Sequence, residues 1–363
     1  MSRSDEYWMA RCLKLAKRGA GHVSPNPLVG AVLVKDGKKI AEGYHKHYGG
    51  LHAEINAMNQ ALRGKKKLPG TTLYVNLEPC YHFGKTPPCV DAVLKYGITR
   101  VVIATKDPNP LVSGKSIKKL LKNGIPCSVG ILKQEAVQLN EKFFTFIKKN
   151  KPFVAIKAAQ TSDGFIARDD GSSKWITNKF SRKYVHQLRS EYDAVVVGAN
   201  TVHTDDPELT VRNVKGRNPI RVVIDGKLSV KLNNKVFNEK APTIVYTQKS
   251  RSSVINKKIL ELKKNNVVVV QLAVNNGNLS IKEILNDLGN RHISSVLVEG
   301  GANVFSKFFD SGLTDKVYLF TSKKRYGYGL RTFENNSKPI RLLKYDQHYF
   351  GTDLLEEFYL TKR

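Results

Sequence analysis

Three side chains with metal-binding atoms and one carboxylate stand in an order that suits hydrolysis at a metal ion. His52-Ala53-Glu54 opens a helix-patterned stretch, Glu78-Pro79-Cys80 follows a strand-patterned one, and Cys89 comes after eight intervening residues. A catalytic zinc takes three protein ligands and keeps a fourth position open, and one imidazole with two thiolates is such a set. Zinc held this way brings the pKa of its water to ~7. Glu54 is placed to take that water's proton and to pass it to a leaving amine. A His-x-Glu, then Pro-Cys, then a second Cys is the order in which zinc-dependent removal of an amine from a base is built. Taken singly, a helix-start histidine or an unpaired cysteine is more often structural. The ordered conjunction selects His52, Cys80 and Cys89 as ligands, whereas Cys12 and Cys127 lack such company and are expected to be structural.

A second constellation lies beyond residue 150. Val298-Glu299-Gly300-Gly301 ends an apolar strand and leads into Ala302-Asn303-Val304-Phe305-Ser306-Lys307. Glycines at a strand-to-helix turn let backbone N–H groups approach a phosphate, and a helix N-terminus favours negative charge. The chain has no Gly-x-Gly-x-x-Gly, so an ordinary Rossmann dinucleotide site is not expected.

The elements that must position these residues read as α/β throughout. An amphipathic helix begins the chain, with Tyr7, Ala10, Leu13 and Leu15 expected to share its apolar side. Strands follow at residues 28–34 and 39–44 about the turn Lys35-Asp36-Gly37, then a helix from His52, a strand at 72–77, a helix at 90–96, a strand at 100–104, a helix at 116–123 and a short strand at 127–129. The polar, Pro-ended segment 146–152 reads as a connection, so domains are expected at 1–148 and 149–363. The second carries apolar strands at 153–157, 194–198, 220–225, 243–246, 267–270 and 296–299, separated by helical stretches.

The 363 residues carry a net charge of +29, which invites a nucleic-acid reading. The excess is even, however: +15 over residues 1–150 and +14 over the remainder. Lysine clusters such as Lys65-Lys66-Lys67, Lys148-Lys149 and Lys263-Lys264 are expected to be solvated surface that helps draw in an anionic substrate. No apolar run has the length of a membrane span, and the acidic start followed by no apolar region is unlike a signal peptide. A cytoplasmic protein is expected, and four scattered cysteines agree with a reducing compartment.

The residues also carry a resemblance. Ser24-Pro25-Asn26-Pro27-Leu28-Val29-Gly30, Gly43-Tyr44-His45, His52-Ala53-Glu54, the run from Leu77 to Cys89 and Asp107-Pro108-Asn109-Pro110 resemble the deaminase half of the bifunctional riboflavin-biosynthesis deaminase/reductase family. Ser162-Asp163-Gly164, Ser173-Lys174-Trp175-Ile176-Thr177, Leu188-Arg189 and the run from Thr201 to Arg212 resemble its reductase half. The resemblance implies a cytidine-deaminase-like α/β/α sandwich followed by a dihydrofolate reductase-like α/β domain. It implies zinc-dependent deamination of a phosphorylated pyrimidine, then NADPH-dependent reduction of its ribosyl group. Asn26, His45, His82 and Lys85 would line the pyrimidine and phosphate pocket. Ala159, Trp175, Thr201, Asp205 and the run Gly301, Ala302, Asn303, Val304, Phe305, Ser306 and Lys307 would bind NADPH. Ser173, Arg189, Leu209, Arg212 and Glu299 would hold the ribose phosphate, where arginine forks suit a phosphate monoester. No side chain stands out as proton donor in the second step, with Asp205 and Glu299 as candidates. The sequence departs from the family at Gly226, where a cofactor-contacting Ser is frequent, and at Thr161-Ser162-Asp163-Gly164, where a Ser-Leu-Asp-Gly run is usual.

A small-molecule substrate, no specific nucleic acid, no membrane and a homo-oligomer are the expected partners. The rival reading is a zinc deaminase acting on tRNA or another nucleic acid. That reading calls for a compact Pro-Cys-x-x-Cys and leaves the second domain without a use. A structural-zinc nucleic-acid binder would need a fourth ligand, for which His82 is the local candidate.

Overall fold

The computed structural model describes residues 4–83, 87–168, 175–275, 277–331 and 342–360. The chain forms two compact units, Met1–Asn150 and Lys151–Arg363. The first runs α1 (Asp5–Ala16), β1 (Gly30–Lys35), β2 (Lys38–Tyr44), α2 (Ala53–Arg63), β3 (Thr72–Val75), α3 (Cys89–Lys95), β4 (Arg100–Ile103), α4 (Lys115–Lys122), β5 (Cys127–Val129), α5 (Lys133–Leu139) and α6 (Glu141–Lys149). Its five-stranded sheet has the order β2-β1-β3-β4-β5. β1 is antiparallel to β2 and β3, while β3, β4 and β5 are parallel.

Strand alternation divides the apolar side chains between two layers. Ala31, Leu33, Leu73, Val75, Val101 and Ile103 pack with Ala57 and Met58 of α2, Val93 of α3 and Leu120 of α4. Val32, Val34, Tyr74 and Val102 pack on the other face with Trp8, Met9 and Cys12 of α1. Tyr7 and Ala10 were expected on the apolar side of α1, but both are exposed. The buried stripe instead uses Trp8, Met9, Cys12, Leu13, Leu15 and Ala16, because the bulkiest apolar groups set which side faces the sheet. Cys12 is a core residue whose thiol donates to the Tyr74 carbonyl at 3.3 Å.

The segment read as a polar connection is helical as far as Lys149. α6 buries Phe146 and stops at Asn150, which takes a left-handed conformation (φ 49°).

The second unit runs β6 (Phe153–Gln160), β7 (Phe165–Ala167), α7 (Lys179–Glu191), β8 (Ala194–Gly198), α8 (Ala199–Asp205), β9 (Ile220–Ile224), β10 (Thr243–Gln248), α9 (Ser253–Lys264) and β11 (Val267–Leu272). After these come β12 (Val274–Asn275), β13 (Asn278–Leu279), α10 (Ile281–Asn290), β14 (Ser295–Val298), α11 (Ala302–Asp310), β15 (Lys316–Thr321), β16 (Leu330–Arg331), β17 (Leu342–Phe350) and β18 (Asp353–Leu360). A nine-stranded sheet has the order β11-β10-β9-β8-β14-β6-β15-β18-β17. It is parallel from β11 to β15, and β18 and β17 add antiparallel pairs at one edge. One face packs on α7 and α9 through Val185, Leu188, Ile259 and Leu262; the other packs on α10 and α11 through Ile284, Leu288, Phe305 and Phe308.

The register aligns Val298, the last residue of β14, with Ile156 of β6 and Val196 of β8, and because the three strands are parallel their carboxyl ends lie on one side of the sheet. That is where an open parallel sheet places its ligands. The antiparallel edge strands lie outside the apolar runs read from the sequence. β18 buries Asp353 and Glu357 alongside Leu355, with Glu357 paired to the buried Lys316 of β15 at 2.6 Å.

Candidate functional site

In the first unit, β2, α2, β3 and α3 bring the metal-binding atoms together. His52 is the N-cap of α2, which places its ring at the helix mouth and Glu54 in the first turn, where the carboxyl is buried. Cys80 lies in the loop after β3, and Cys89 starts α3. His52 Nδ1 is 3.4 Å from the Cys80 sulfur and 3.3 Å from the Cys89 sulfur, and all three ligand atoms lie within 4.8 Å of one another. Tetrahedral zinc with Zn–N and Zn–S bonds of about 2.0 and 2.3 Å sets N to S at about 3.5 Å, so the trio fits zinc. The backbone N–H of Cys89 donates to the Cys80 sulfur at 3.1 Å. Hydrogen bonds from Cys89 and His52 pull the Cys80 thiol well below the ordinary range. Burial pushes the Glu54 carboxyl up, with His52 opposing it.

A cavity of about 300 Å³ adjoins the trio, lined by His52, Glu54 and Cys80 together with Asn26, His45 and His82. The buried His45 donates through Nδ1 to the Leu51 carbonyl at 3.1 Å, which leaves Nε2 to accept from Asn26 Nδ2 at 3.1 Å. Burial lowers the His45 pKa and keeps the ring neutral. Asp107 and Asn109 line the same space. Burial pushes the Asp107 carboxyl up to about 6, against the Asn109 N–H that donates to it. Glu78, buried beside the cavity, accepts from the backbone N–H groups of Asp107 (3.3 Å), Gly114 (2.9 Å) and Ile117 (3.4 Å) and so anchors the start of α4.

In the second unit a larger cavity, about 990 Å³, opens at the carboxyl ends of β6, β8, β9 and β14. Arg189 of α7 and Glu299, the residue after β14, form a two-pronged ion pair there, Nε to Oε1 at 2.6 Å and NH2 to Oε2 at 2.8 Å. Burial opposes ionisation of Glu299, but Arg189, Lys157 and His186 outweigh it and hold the carboxyl below its usual range. The α11 N-terminus meets the cavity through Gly300 and Gly301, and Gly301 N donates to Thr201 Oγ1 at 3.1 Å. A Cβ on Gly300 would lie 2.9 Å from Val304 Cβ and one on Gly198 2.6 Å from Val304 Cγ2, so these glycines let α11 sit close over β8 and β14. The free backbone donors at the α11 N-terminus suit a pyrophosphate, and the cavity volume suits a dinucleotide.

The family profile for the cytidine and deoxycytidylate deaminase zinc-binding region matches residues 2–105, and that for the RibD C-terminal domain matches residues 152–348. The riboflavin biosynthesis protein RibD of Aquifex aeolicus is 48% identical over 328 residues, covering 90% of this chain and 89% of the relative. The chain belongs to the RibD family. The RibD of Escherichia coli is 36% identical over 340 residues, covering 90% of each chain. A solved Thermotoga maritima diaminohydroxyphosphoribosylaminopyrimidine deaminase/5-amino-6-(5-phosphoribosylamino)uracil reductase is similar at 42% identity and a TM-score of 0.87, covering 98% of this chain and 99% of that one. Acinetobacter baumannii RibD superposes with a TM-score of 0.88 at 33% identity, covering 98% of this chain and 99% of that one. The first unit is therefore a cytidine deaminase-like domain that binds zinc, and the second is the NADPH-dependent RibD reductase domain with a dihydrofolate reductase-like fold.

Within this RibD chain the structure gathers most of the sequence-selected residues into the two cavities. Ala159, Trp175, Thr201, Asp205, Gly301, Ala302, Asn303, Val304, Phe305 and Lys307 line the reductase cavity with Arg189, Leu209, Arg212 and Glu299. Ser306 lies on α11 without lining it. Lys85 and Ser173 lie outside the described residues.

Three lining residues carried no signal in the sequence. Lys157 projects from the apolar strand β6, and desolvation lowers its pKa, with Glu299 opposing and Arg189 adding to the shift. His186 sits one turn before Arg189 on α7. Lys227 follows the end of β9. The first was hidden in a core strand and the other two sit in no motif.

Proposed function

We infer that the chain carries out two steps of riboflavin biosynthesis: hydrolytic deamination of 2,5-diamino-6-(5-phosphoribosylamino)pyrimidin-4-one, and NADPH-dependent reduction of the ribosyl group to ribityl. The observation that carries the reading is the His52, Cys80 and Cys89 trio opening onto the cavity that Glu54 shares.

In the deaminase unit His52, Cys80 and Cys89 hold zinc, which supplies an acidified water when bound. Glu54 receives a proton on its carboxylate and delivers it to the departing amine. Its burial raises the pKa toward the working range of a general acid and base. Asn26 presents amide donors and an acceptor to the pyrimidine edge, and neutral His45 fixes the orientation of that amide. His82 and Lys85 meet the phosphate from the loop between the two cysteines, a loop longer than a compact nucleic-acid deaminase would need.

In the reductase unit the α11 N-terminus, with Thr201 and Asp205, holds NADPH, the hydride source. Ala159 and Trp175 would help hold that cofactor, while Arg189, Leu209, Arg212 and Ser173 would hold the ribose phosphate. Forming a C–H bond at C1 of the ribosyl group requires the bond from C1 to the ring oxygen to break, and that oxygen, left with the electron pair, takes up a proton as the chain opens. Lys157, half-buried and with a lowered pKa, holds that proton beside Glu299. The reading of no specific nucleic-acid partner rests on the even spread of basic charge and on the small-molecule dimensions of both cavities. No described helix is long and apolar enough to cross a membrane.

The test is an end-point assay on zinc-replete protein given the diaminopyrimidinone with and without NADPH, followed by mass spectrometry. The expected result is loss of ammonia without NADPH and a gain of two hydrogens with it. Unchanged substrate together with salt-sensitive tRNA binding would move the reading to a nucleic-acid deaminase.

A further inference from the structure

The reductase cavity has two chemically different ends on either side of the α11 N-terminus. In the sheet β14 has β6 on one side and β8, then β9, on the other. The β6 end carries Lys157, with Arg189 and Glu299 beside it. The β9 end is walled by Thr204, Asp205, Asp225, Gly226, Lys227 and Ser229. With neighbouring strands about 4.8 Å apart, the end of β9 lies roughly 10 Å from the end of β14.

This layout orients a dinucleotide. Hydride has to reach the ribosyl carbon, so the nicotinamide belongs at the β6 end with the substrate-holding groups. The pyrophosphate belongs at the α11 N-terminus. The adenosine then extends across β8 toward the end of β9. NADPH differs from NADH by one phosphate, on the adenosine ribose, and that phosphate arrives where Lys227 stands.

Lys227 is equipped to receive it. The cavity arginines are assigned elsewhere: Arg189, paired with Glu299, and Arg212, whose NH1 donates to Glu208 Oε2 at 3.1 Å, are read above as groups for the ribose phosphate of the substrate, and Arg182 stacks over the Trp175 ring at 4.4 Å. Among the described residues, no ion pair or hydrogen bond holds the exposed Lys227 ammonium. The turn that carries it is braced from behind. Asp225 is buried and accepts from Ser229 Oγ at 3.1 Å and from Val230 N at 2.8 Å, so its carboxylate is committed to its own turn. Lys258 Nζ donates to the Leu228 carbonyl at 2.7 Å and adds positive charge on the same turn. A Cβ on Gly226 would meet nothing within 4 Å, so the space beside Lys227 is open.

We propose that Lys227 anchors the 2′-phosphate and makes this chain select NADPH over NADH, the bare position at Gly226 giving the phosphate room. The proposal rests on the reductase reading given above. Lys307, the remaining cavity lysine, lies in the second turn of α11 at the β14 end and serves the pyrophosphate common to both nucleotides.

The experiment titrates NADPH and NADH separately into the full-length protein, following binding by isothermal calorimetry. Wild type is compared with Lys227→Met, Lys227→Arg and Lys307→Met. Loss of one charge-assisted phosphate contact weakens NADPH about 10–100-fold in Lys227→Met, with NADH unchanged within about twofold. Lys227→Arg restores most of the preference, and Lys307→Met weakens both nucleotides alike. If wild type binds neither nucleotide, the reductase reading itself fails. If wild type prefers NADPH and Lys227→Met keeps that preference, or loses both nucleotides in parallel, the assignment of Lys227 is overturned while the reductase reading stands.

Discussion

Arg189 and Glu299 lie 110 positions apart in the chain yet meet as a two-pronged pair, 2.6 and 2.8 Å, with side chains only 12% and 6% exposed. A buried pair of this kind holds its geometry without help from solvent. Its carboxylate also faces Lys157 and His186, so one anion balances several cationic or basic groups at the substrate end of the cavity.

Removing one partner is expected to cost more than removing both. Arg189→Met leaves a buried carboxylate without its fork, a loss of about 3–5 kcal/mol for a broken buried pair. Arg189→Met/Glu299→Gln, which removes both members of the fork together, is expected to recover a substantial part of it. Urea unfolding of the two single variants and the double completes the cycle. Strictly additive losses would show that the pair carries no coupling energy.

His186 supplies the pH dependence. Burial, assisted by Arg189 and Arg212, pushes its pKa down to about 4 from 6.5. Between those values the unfolded chain takes up a proton that the folded chain refuses. The stability associated with the neutral ring is therefore complete above pH 6.5, is lost as pH falls toward 4, and changes no further below that. The loss across the window is up to roughly 3 kcal/mol. His186→Gln is expected to flatten this slope relative to wild type in denaturant titrations at pH 7.5, 5.5 and 4.5. Parallel curves for the two proteins would contradict it.

How much of this was legible in the sequence depended on how local each signal is. His52, Glu54, Cys80 and Cys89 were readable because metal chemistry restricts residue types and order within a short stretch. Arg189 and Glu299 were readable only through the resemblance, since nothing local marks a helix arginine as partner of a glutamate 110 residues away. Lys157 was masked by the apolar strand around it, and its meaning comes from the charges that the sheet order brings beside it. The edge strand β18 escaped because its buried positions include Asp353 and Glu357, whose burial depends on partners such as Ser181 and Lys316 from distant segments. Arg221 was likewise read as part of a strand, but it is fully buried and donates to the carbonyls of Lys235, Asn238 and Ala241.

Zinc and Glu54 separate the two activities. Glu54→Gln keeps the size of the side chain and leaves all three zinc ligands in place, so bound zinc measured by atomic emission is expected to stay near one per chain. Deamination is expected to fall about 10²–10⁴-fold, the usual contribution of a general acid or base. Cys89→Ser, by contrast, is expected to lose both metal and deamination. In each variant reduction of the already deaminated intermediate should proceed at the wild-type rate, because the NADPH cavity is built wholly from the other unit. Normal deamination by Glu54→Gln would remove that residue from the proton path.

Gly43 sets how closely β2 approaches the helix that carries the metal site. A Cβ there would lie 2.5 Å from both the Ala53 carbonyl oxygen and the Ala57 nitrogen, backbone atoms that cannot rotate away. Gly43→Ala must therefore push α2 off the strand, and His52 and Glu54 move with the start of that helix. Overpacking of this kind costs about 1–3 kcal/mol. The displacement should also weaken zinc binding, read by competition with a chelating dye. Gly226→Ala makes the same chemical change where a Cβ meets nothing within 4 Å, so its melting temperature is expected to match wild type. If Gly43→Ala melts with the control and holds zinc as tightly as wild type, strand-to-helix contact at this glycine does not position the metal site.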